Sequence, residues 1–412
     1  MNDIAKTGLL SFLEARRIVE EHAARLAPTE PELTGLLDAV GLALAEDLRA
    51  DRDFPSFPRA TRDGYAVRSA DVQALPAELR VVGSLKAGAG AEGLNVAAGQ
   101  AVEIMTGAAV PAGADAVVMV EYTSAVSANV AVKRAVKAGE SVVPAGAEAR
   151  KGDVMVPKGA RIHHAVVAVA AAVGRPEVAV YRRPKVAVLA TGDELVDINF
   201  PPGPNEIRNS NSYSLAAQVY ESGGEATILP VARDEAADLA LLLRKGLEGD
   251  LLLLTGGVSM GKYDLVEEVL ASLGAEFFFT GVAIQPGKPV VFGQIAVDGK
   301  TTPFFGLPGN PVSTMVTFEV FVRPVLDVLG GAKIEPLPFV QAELRKAFAT
   351  KTGLTRFLPG KLRGTHRKPE VEWVRWQGSG DLMAMVMADC YIVVPPDRER
   401  LEAGEAVSVL LA

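Results

Sequence analysis

Residues 185–196 read KVAVLATGDELV. Lys185–Ala190 is an apolar run of strand length, and Thr191-Gly192-Asp193-Glu194 breaks it with polar and glycine residues. A second run, Asp250–Thr255 (DLLLLT), ends in the same way, on Thr255-Gly256-Gly257. Continuous apolar runs closed by turn residues read as buried strands. Ala226–Leu229, Pro289–Phe292 and Pro303–Gly306 are further short strands. Residues 211–222, 236–247, 264–273 and 311–329 carry helical spacing. Strands that alternate with helices predict a mostly parallel sheet with helices on both faces. In such a sheet ligands gather beyond the carboxyl ends of the strands.

Outward from this core the texture changes. Residues 8–26 read as an amphipathic helix carrying Leu9, Phe12, Leu13, Ala15 and Val19, and 33–48 as a weaker one. From 51 to 148 proline and glycine are frequent and short runs such as Gln100–Met105 and Ala116–Val120 predict a β-rich module. Residues 161–174 predict an alanine- and valine-rich helix, and 333–412 return to short strands. The expectation is an α/β multidomain chain.

The 412 residues carry 42 Lys+Arg and 50 Asp+Glu, a net charge of −8. That balance argues against a broad nucleic-acid surface but leaves room for a local basic pocket. The single cysteine, Cys390, excludes an intramolecular disulfide framework and a cysteine-cluster zinc site. The longest apolar run, Ala165–Val173, falls far short of the ~20 residues of a bilayer helix. Asp3, Glu14, Arg16 and Arg17 around the first apolar stretch do not fit a signal peptide. The expected compartment is the cytoplasm, with neither membrane nor nucleic acid as partner.

Three loops fall at strand ends. In Gly306-Leu307-Pro308-Gly309-Asn310-Pro311, Asn310 suits an N-cap and Pro311 the first helical position. This loop reads either as a helix cap or as an anion site built from free N–H groups. Gly256 to Lys262 has the spacing of a phosphate loop, but Tyr263 replaces the hydroxyl that would hold magnesium, so it is not an NTPase loop. Glu194, Asp234 and Asp264 stand near these loops, and Asp63 lies in another. Acids beside anion loops point to a divalent cation between them, hence Mg²⁺-assisted chemistry on a phosphorylated substrate.

Seven ordered segments carry a resemblance: RDGYA at 62–66, IMTGAAVPAGADAVVMVE at 104–121, VAVLATGDELV at 186–196, IRNSNSY at 207–213, TGGVSMGKYD at 255–264, QPGKPVVFG at 285–293 and GLPGNPVS at 306–313. Together they resemble the molybdopterin molybdenumtransferases (molybdenum insertases), which include the C-terminal domain of gephyrin. The resemblance implies a split, mostly helical segment (1–50 and 149–180) and an inserted β domain (51–148). It further implies a molybdopterin-binding-type α/β domain (181–332) and a C-terminal β-barrel (333–412). It implies a homodimer whose site is shared between subunits. The implied reaction inserts molybdenum from molybdate into adenylated molybdopterin, with Mg²⁺ and release of AMP. The upstream molybdopterin adenylyltransferase and acceptor molybdoenzymes are implied partners.

Matched residue by residue, the family's catalytic positions are Asp63, Glu194, Asp234 and Asp264, the last three also holding metal. Thr106, Asn211, Gly256, Gly257, Ser259, Lys288, Pro308, Gly309, Asn310, Pro311 and Ser379 match substrate-binding positions. The chain also departs from the pattern. Ala60 and Arg62 replace a serine and a methionine, and Gly146-Ala147-Glu148 replaces Gly-Glu-Asp. Gly281 and Gln285 replace lysines, and Pro359 stands where an arginine is expected. Arg59 and Arg62 are the expected compensation. These departures mark a divergent member, with a non-catalytic carrier or sensor of molybdopterin, cofactor or nucleotide as the alternative.

Overall fold

The computed structural model describes residues 9–257, 265–297 and 299–411. They form two compact units: one takes the chain up to residue 45, 159–163 and 177 onward, the other 46–158 and 164–176.

The first unit holds a six-stranded sheet in the order Glu225–Ile228, Lys185–Ala190, Leu251–Thr255, Lys300–Leu307, Val291–Val297, Glu276–Phe279. The first four strands are parallel and the last two antiparallel. Burial on both faces explains the unbroken apolar runs. Val186, Val188, Leu251 and Leu253 pack on one face with Leu215, Val219, Val312 and Val316, and with Phe12 and Val19 of the helix Phe12–Ala23. Ala187, Leu189, Leu252 and Leu254 face the other way, onto Leu239, Leu243, Val266 and Leu270. Ser11 and Glu14 start the first helix as a reciprocal capping box. The predicted closing helix is one run, Pro311–Thr317, a π segment Phe318–Val322, and Arg323–Leu329.

The helix expected over 33–48 is absent. Pro31–Gly35 is instead a strand antiparallel to Glu177–Tyr181, and Leu48–Arg49 pairs with Val154–Val156. The β-branched run Glu177–Tyr181 offers a pairing edge that outweighs a weak helical pattern, and Gly41, at φ +85, turns the chain where a helix would continue.

The C-terminal strands Phe339–Leu344, Thr355–Thr365, Lys368–Trp373, Cys390–Val394 and Ala406–Leu411 close into a five-stranded barrel. Pairing of Thr355–Thr365 with Cys390–Val394 completes the ring. Closure removes the sheet edges.

The second unit is built on a sheet ordered Ala116–Met119, Gly64–Val67, Gln100–Ile104, Ala77–Leu85, Asn129–Val132, Thr123–Val126. The helix His164–Ala172 belongs to the same unit. Gly64, the glycine of RDGYA, lies between two strands, and a Cβ there would sit 1.9 Å from the Val118 carbonyl oxygen. Gly64→Ala is therefore expected to destabilise this unit by about 3 kcal/mol, the upper range for overpacking. Thermal unfolding checks this, and an unchanged midpoint would refute the packing account.

Candidate functional site

The carboxyl ends of Lys185–Ala190 and Leu251–Thr255 open into a cleft of about 320 Å³. Thr191, Glu194, Asn211, Gly256, Gly309 and Asn310 line it. Side chains fix the loop 308–311 by taking its carbonyl groups. Thr255 Oγ1 (3.3 Å) and Thr314 Oγ1 (2.6 Å) both donate to the Pro308 oxygen. Asn211 Nδ2 donates to the Gly309 oxygen (2.7 Å) and to Thr255 Oγ1 (3.0 Å). Asn211, expected to touch substrate, thus spends its amide nitrogen on holding the loop. Asn310 occupies the N-cap position, yet its side chain makes no capping bond. Of the two readings of this loop, the simple cap is the weaker.

Beside it lies a second cleft, of about 460 Å³, reached by Asn310 and Pro308 from the same loop. Lys288 and Ser379 line it, together with Gln285, Lys351, Arg356 and Trp376. Among the described residues its lining holds three cations and no carboxylate. Arg356 is 6% exposed, and its Nε (3.1 Å) and Nη2 (2.7 Å) both donate to the Lys351 carbonyl oxygen. Burial pulls its guanidinium below the usual arginine range. Among the described residues no carboxylate pairs with it. A buried charge without a counter-charge is costly and favours an incoming anion. The Ser379 carbonyl accepts from the Val312 N–H (3.0 Å), tying the barrel to the helix start.

The acids gather after Lys185–Ala190. Burial first, then the charges of Asp193 and Glu194, push the Asp234 carboxyl above its ordinary value. The Asp234 N–H donates to Asp193 Oδ1 at 3.3 Å. Among the described residues no group of three or more His, Cys, Asp or Glu is gathered into a metal cage. Ser259 and Asp264 lie outside the described residues.

In the second unit Asp63 and Thr106 come together, because Gly64 and Ile104 are opposite one another on adjacent strands. Asp63 Oδ1 accepts from the Thr106 N–H and hydroxyl, both at 2.7 Å. These bonds, the backbone one first, hold its carboxyl below the ordinary range. Arg59 donates to Glu148 (2.8 Å), so the expected compensating cation already has a partner.

Three family profiles match: the MoeA N-terminal region (domain I and II) over 10–174, a probable molybdopterin binding domain over 187–328, and the MoeA C-terminal region (domain IV) over 341–412. The molybdopterin molybdenumtransferase of Bacillus subtilis is 34% identical over 391 residues, covering 93% of this chain and 90% of its own. That of Staphylococcus epidermidis is 35% identical over 414 residues, covering 99% and 97%. The chain belongs to the molybdopterin molybdenumtransferase family. A crystal structure of the molybdopterin biosynthesis MoeA protein of Pyrococcus horikoshii superposes with a TM-score of 0.79 at 29% identity, over 98% of this chain and 100% of that one.

Two cations that the sequence reading did not single out, Lys351 and Arg356, line the cleft that holds Gln285. Arg356, which the sequence reading missed, lies on the same strand as Pro359 and directly opposite Gln285 on the neighbouring strand. Lys351 was missed as well. Its only sequence signal is a lysine five residues before an arginine at a strand start, which many surfaces share. The family's lysine position at Gln285 lies in the same cleft, whereas Gly281 is buried.

Proposed function

We propose that this family member inserts molybdenum from molybdate into adenylated molybdopterin, releasing AMP. The observation that carries the reading is Arg356, buried and without a carboxylate partner among the described residues, in a cleft that adds Lys288 and Lys351. A tetrahedral oxyanion such as molybdate fits three cations and a serine, because charge-assisted hydrogen bonds exceed neutral ones. The substrate phosphates would lie in the neighbouring cleft. There Asn211, Thr255 and Thr314 hold the 308–310 carbonyl groups away and leave loop N–H groups for phosphate. Asn310 reaches both clefts and so places the two reactants side by side.

Asp193, Glu194 and Asp234 supply the hard oxygen donors that suit Mg²⁺, and a cation would relieve the strain on Asp234. Mg²⁺ keeps water and substrate phosphate in its shell, so a complete protein cage is not required. When bound it would neutralise charge on the phosphoanhydride. Asp264 belongs to this set by its family position. Asp63, fixed by Thr106, serves the insertion step. The four-part division at residues 51, 149, 181 and 333 is retained as the functional division of the chain.

A homodimer is part of the proposal. Leu33, Leu37 and Tyr220, 70%, 81% and 70% exposed on the first unit, are apolar side chains that a partner subunit would cover. Sedimentation of the full chain at monomer mass would refute it. The cytoplasm is the proposed compartment, supported by the lone cysteine. An adenylyltransferase would supply the substrate and molybdoenzymes would take the product.

The deciding experiment incubates the protein with adenylated molybdopterin and Mg²⁺, with and without molybdate, and measures AMP. One AMP per molybdopterin, dependent on molybdate, is expected. Tight binding without AMP at any molybdate level would favour the carrier reading, which the enzyme names of the relatives do not favour.

A further inference from the structure

Thr191 ends the strand Lys185–Ala190 and lines the first cleft, yet its side chain is not explained by the fold. The residue is 2% exposed. Its N–H donates to the Thr255 carbonyl at 3.0 Å, while its hydroxyl, among the described residues, has no hydrogen-bond partner. Among the described residues two other buried side-chain atoms share this condition, Gln218 Oε1 and Trp373 Nε1, but neither residue lines a cleft of the site. A buried hydroxyl left unpaired costs stability, so a fold gains by replacing it with an apolar group of the same shape. Valine has that shape and also suits a strand end.

Two glycines point to what the hydroxyl faces. Gly256 and Gly257 follow Leu251–Thr255 with φ of +87 and +63. A Cβ on Gly256 would sit 2.3 Å from the Thr191 carbonyl oxygen. A Cβ on Gly257 would sit 2.5 Å from Thr191 Oγ1. The Gly-Gly turn therefore brings bare backbone against Thr191 and keeps side chains off its hydroxyl. Thr191 and Gly256 both line the cleft, so the buried hydroxyl lies just behind its wall.

We infer that the Thr191 hydroxyl is a substrate-binding group whose missing partner is a phosphate oxygen of the bound adenylate. Its Oγ–H donates to that oxygen when the ligand fills the cleft. The ligand-free protein carries the unpaired hydroxyl as a stability cost. This rests on the reading of the first cleft as the phosphate side of the site.

The test uses the full chain, Thr191→Val and Thr191→Ser, and AMP with Mg²⁺ as probe. Two quantities are read: the unfolding midpoint without ligand, and AMP affinity by calorimetry. Thr191→Val is expected to unfold no earlier than the parent and to bind AMP about 10-fold more weakly or worse, the range for a hydrogen bond to a charged group. Thr191→Ser is expected to bind AMP like the parent. Unchanged AMP affinity in Thr191→Val overturns the inference. So does a lowered midpoint in Thr191→Val, because the hydroxyl would then be paired within the protein. A parent that does not bind AMP overturns the phosphate-cleft reading itself, and this inference with it.

Discussion

Arg356→Met is expected to raise the molybdate concentration needed for half-maximal AMP release by 10- to 100-fold. Methionine keeps much of the aliphatic stem and removes the charge. A charge-assisted hydrogen bond in a partly desolvated site contributes about 1.5–3 kcal/mol, which sets the range. The loss should fall on molybdate and spare AMP affinity, since Arg356 lines the second cleft and not the first. One structural effect must be separated. Arg356 donates twice to the Lys351 carbonyl, and its loss frees that segment. Lys351→Met is the control, because it removes a neighbouring charge without touching those bonds. Arg356→Lys should recover part of the molybdate affinity and little of the segment's order, because an ammonium is a point charge without the planar fork. Unchanged molybdate dependence in Arg356→Met would remove the second cleft from the reaction.

The same arginine illustrates how far the sequence could be read. The α/β core was legible because KVAVLA and DLLLLT are buried on both faces, so periodicity and burial coincide. The segment 33–48 was not. Its structure depends on pairing with residues 177–181, and no local pattern encodes a partner that far along the chain. At the site, the loops at strand ends were legible because a sheet's topology fixes where ligands bind. The three cations of the second cleft were only partly so. Lys288 sits in a recognisable PGKP turn, whereas Arg356 and Lys351 enter from the barrel strand and the loop before it. Arg356 stands in this cleft because its strand pairs with the one that holds Gln285, a contact that no local pattern encodes. Asn211 lines the first cleft and also holds its loop. Its motif placed it at the cleft, but only the hydrogen bonds reveal that it orients the 308–311 loop.

Asp234→Asn is expected to reduce Mg²⁺-dependent AMP release by about 100-fold, a loss typical of an electrostatic catalytic group. It should at the same time leave the ligand-free protein slightly more stable at neutral pH. The two signs have one cause. Burial and the charges of Asp193 and Glu194 disfavour the Asp234 carboxylate, so its folded-state pKa lies above the 3.8 of the free side chain. Between these values the folded state binds more protons than the unfolded state, and stability falls as pH rises through that window. Asparagine cannot ionise and escapes the penalty. Its stabilising effect should therefore be present at pH 7 and vanish below about pH 3.8. The rise in unfolding midpoint should be small, because Asp234 is largely exposed and solvent screens its neighbours. Added Mg²⁺ reverses the order: it should raise the parent's midpoint more than the variant's, since only the parent offers the strained charge. Calorimetric scans across pH, with and without Mg²⁺, read all of this without turnover. A variant less stable than the parent at pH 7 would mean that the carboxylate is favourably paired in the fold. Equal Mg²⁺ shifts in parent and variant would take Asp234 out of the metal's reach.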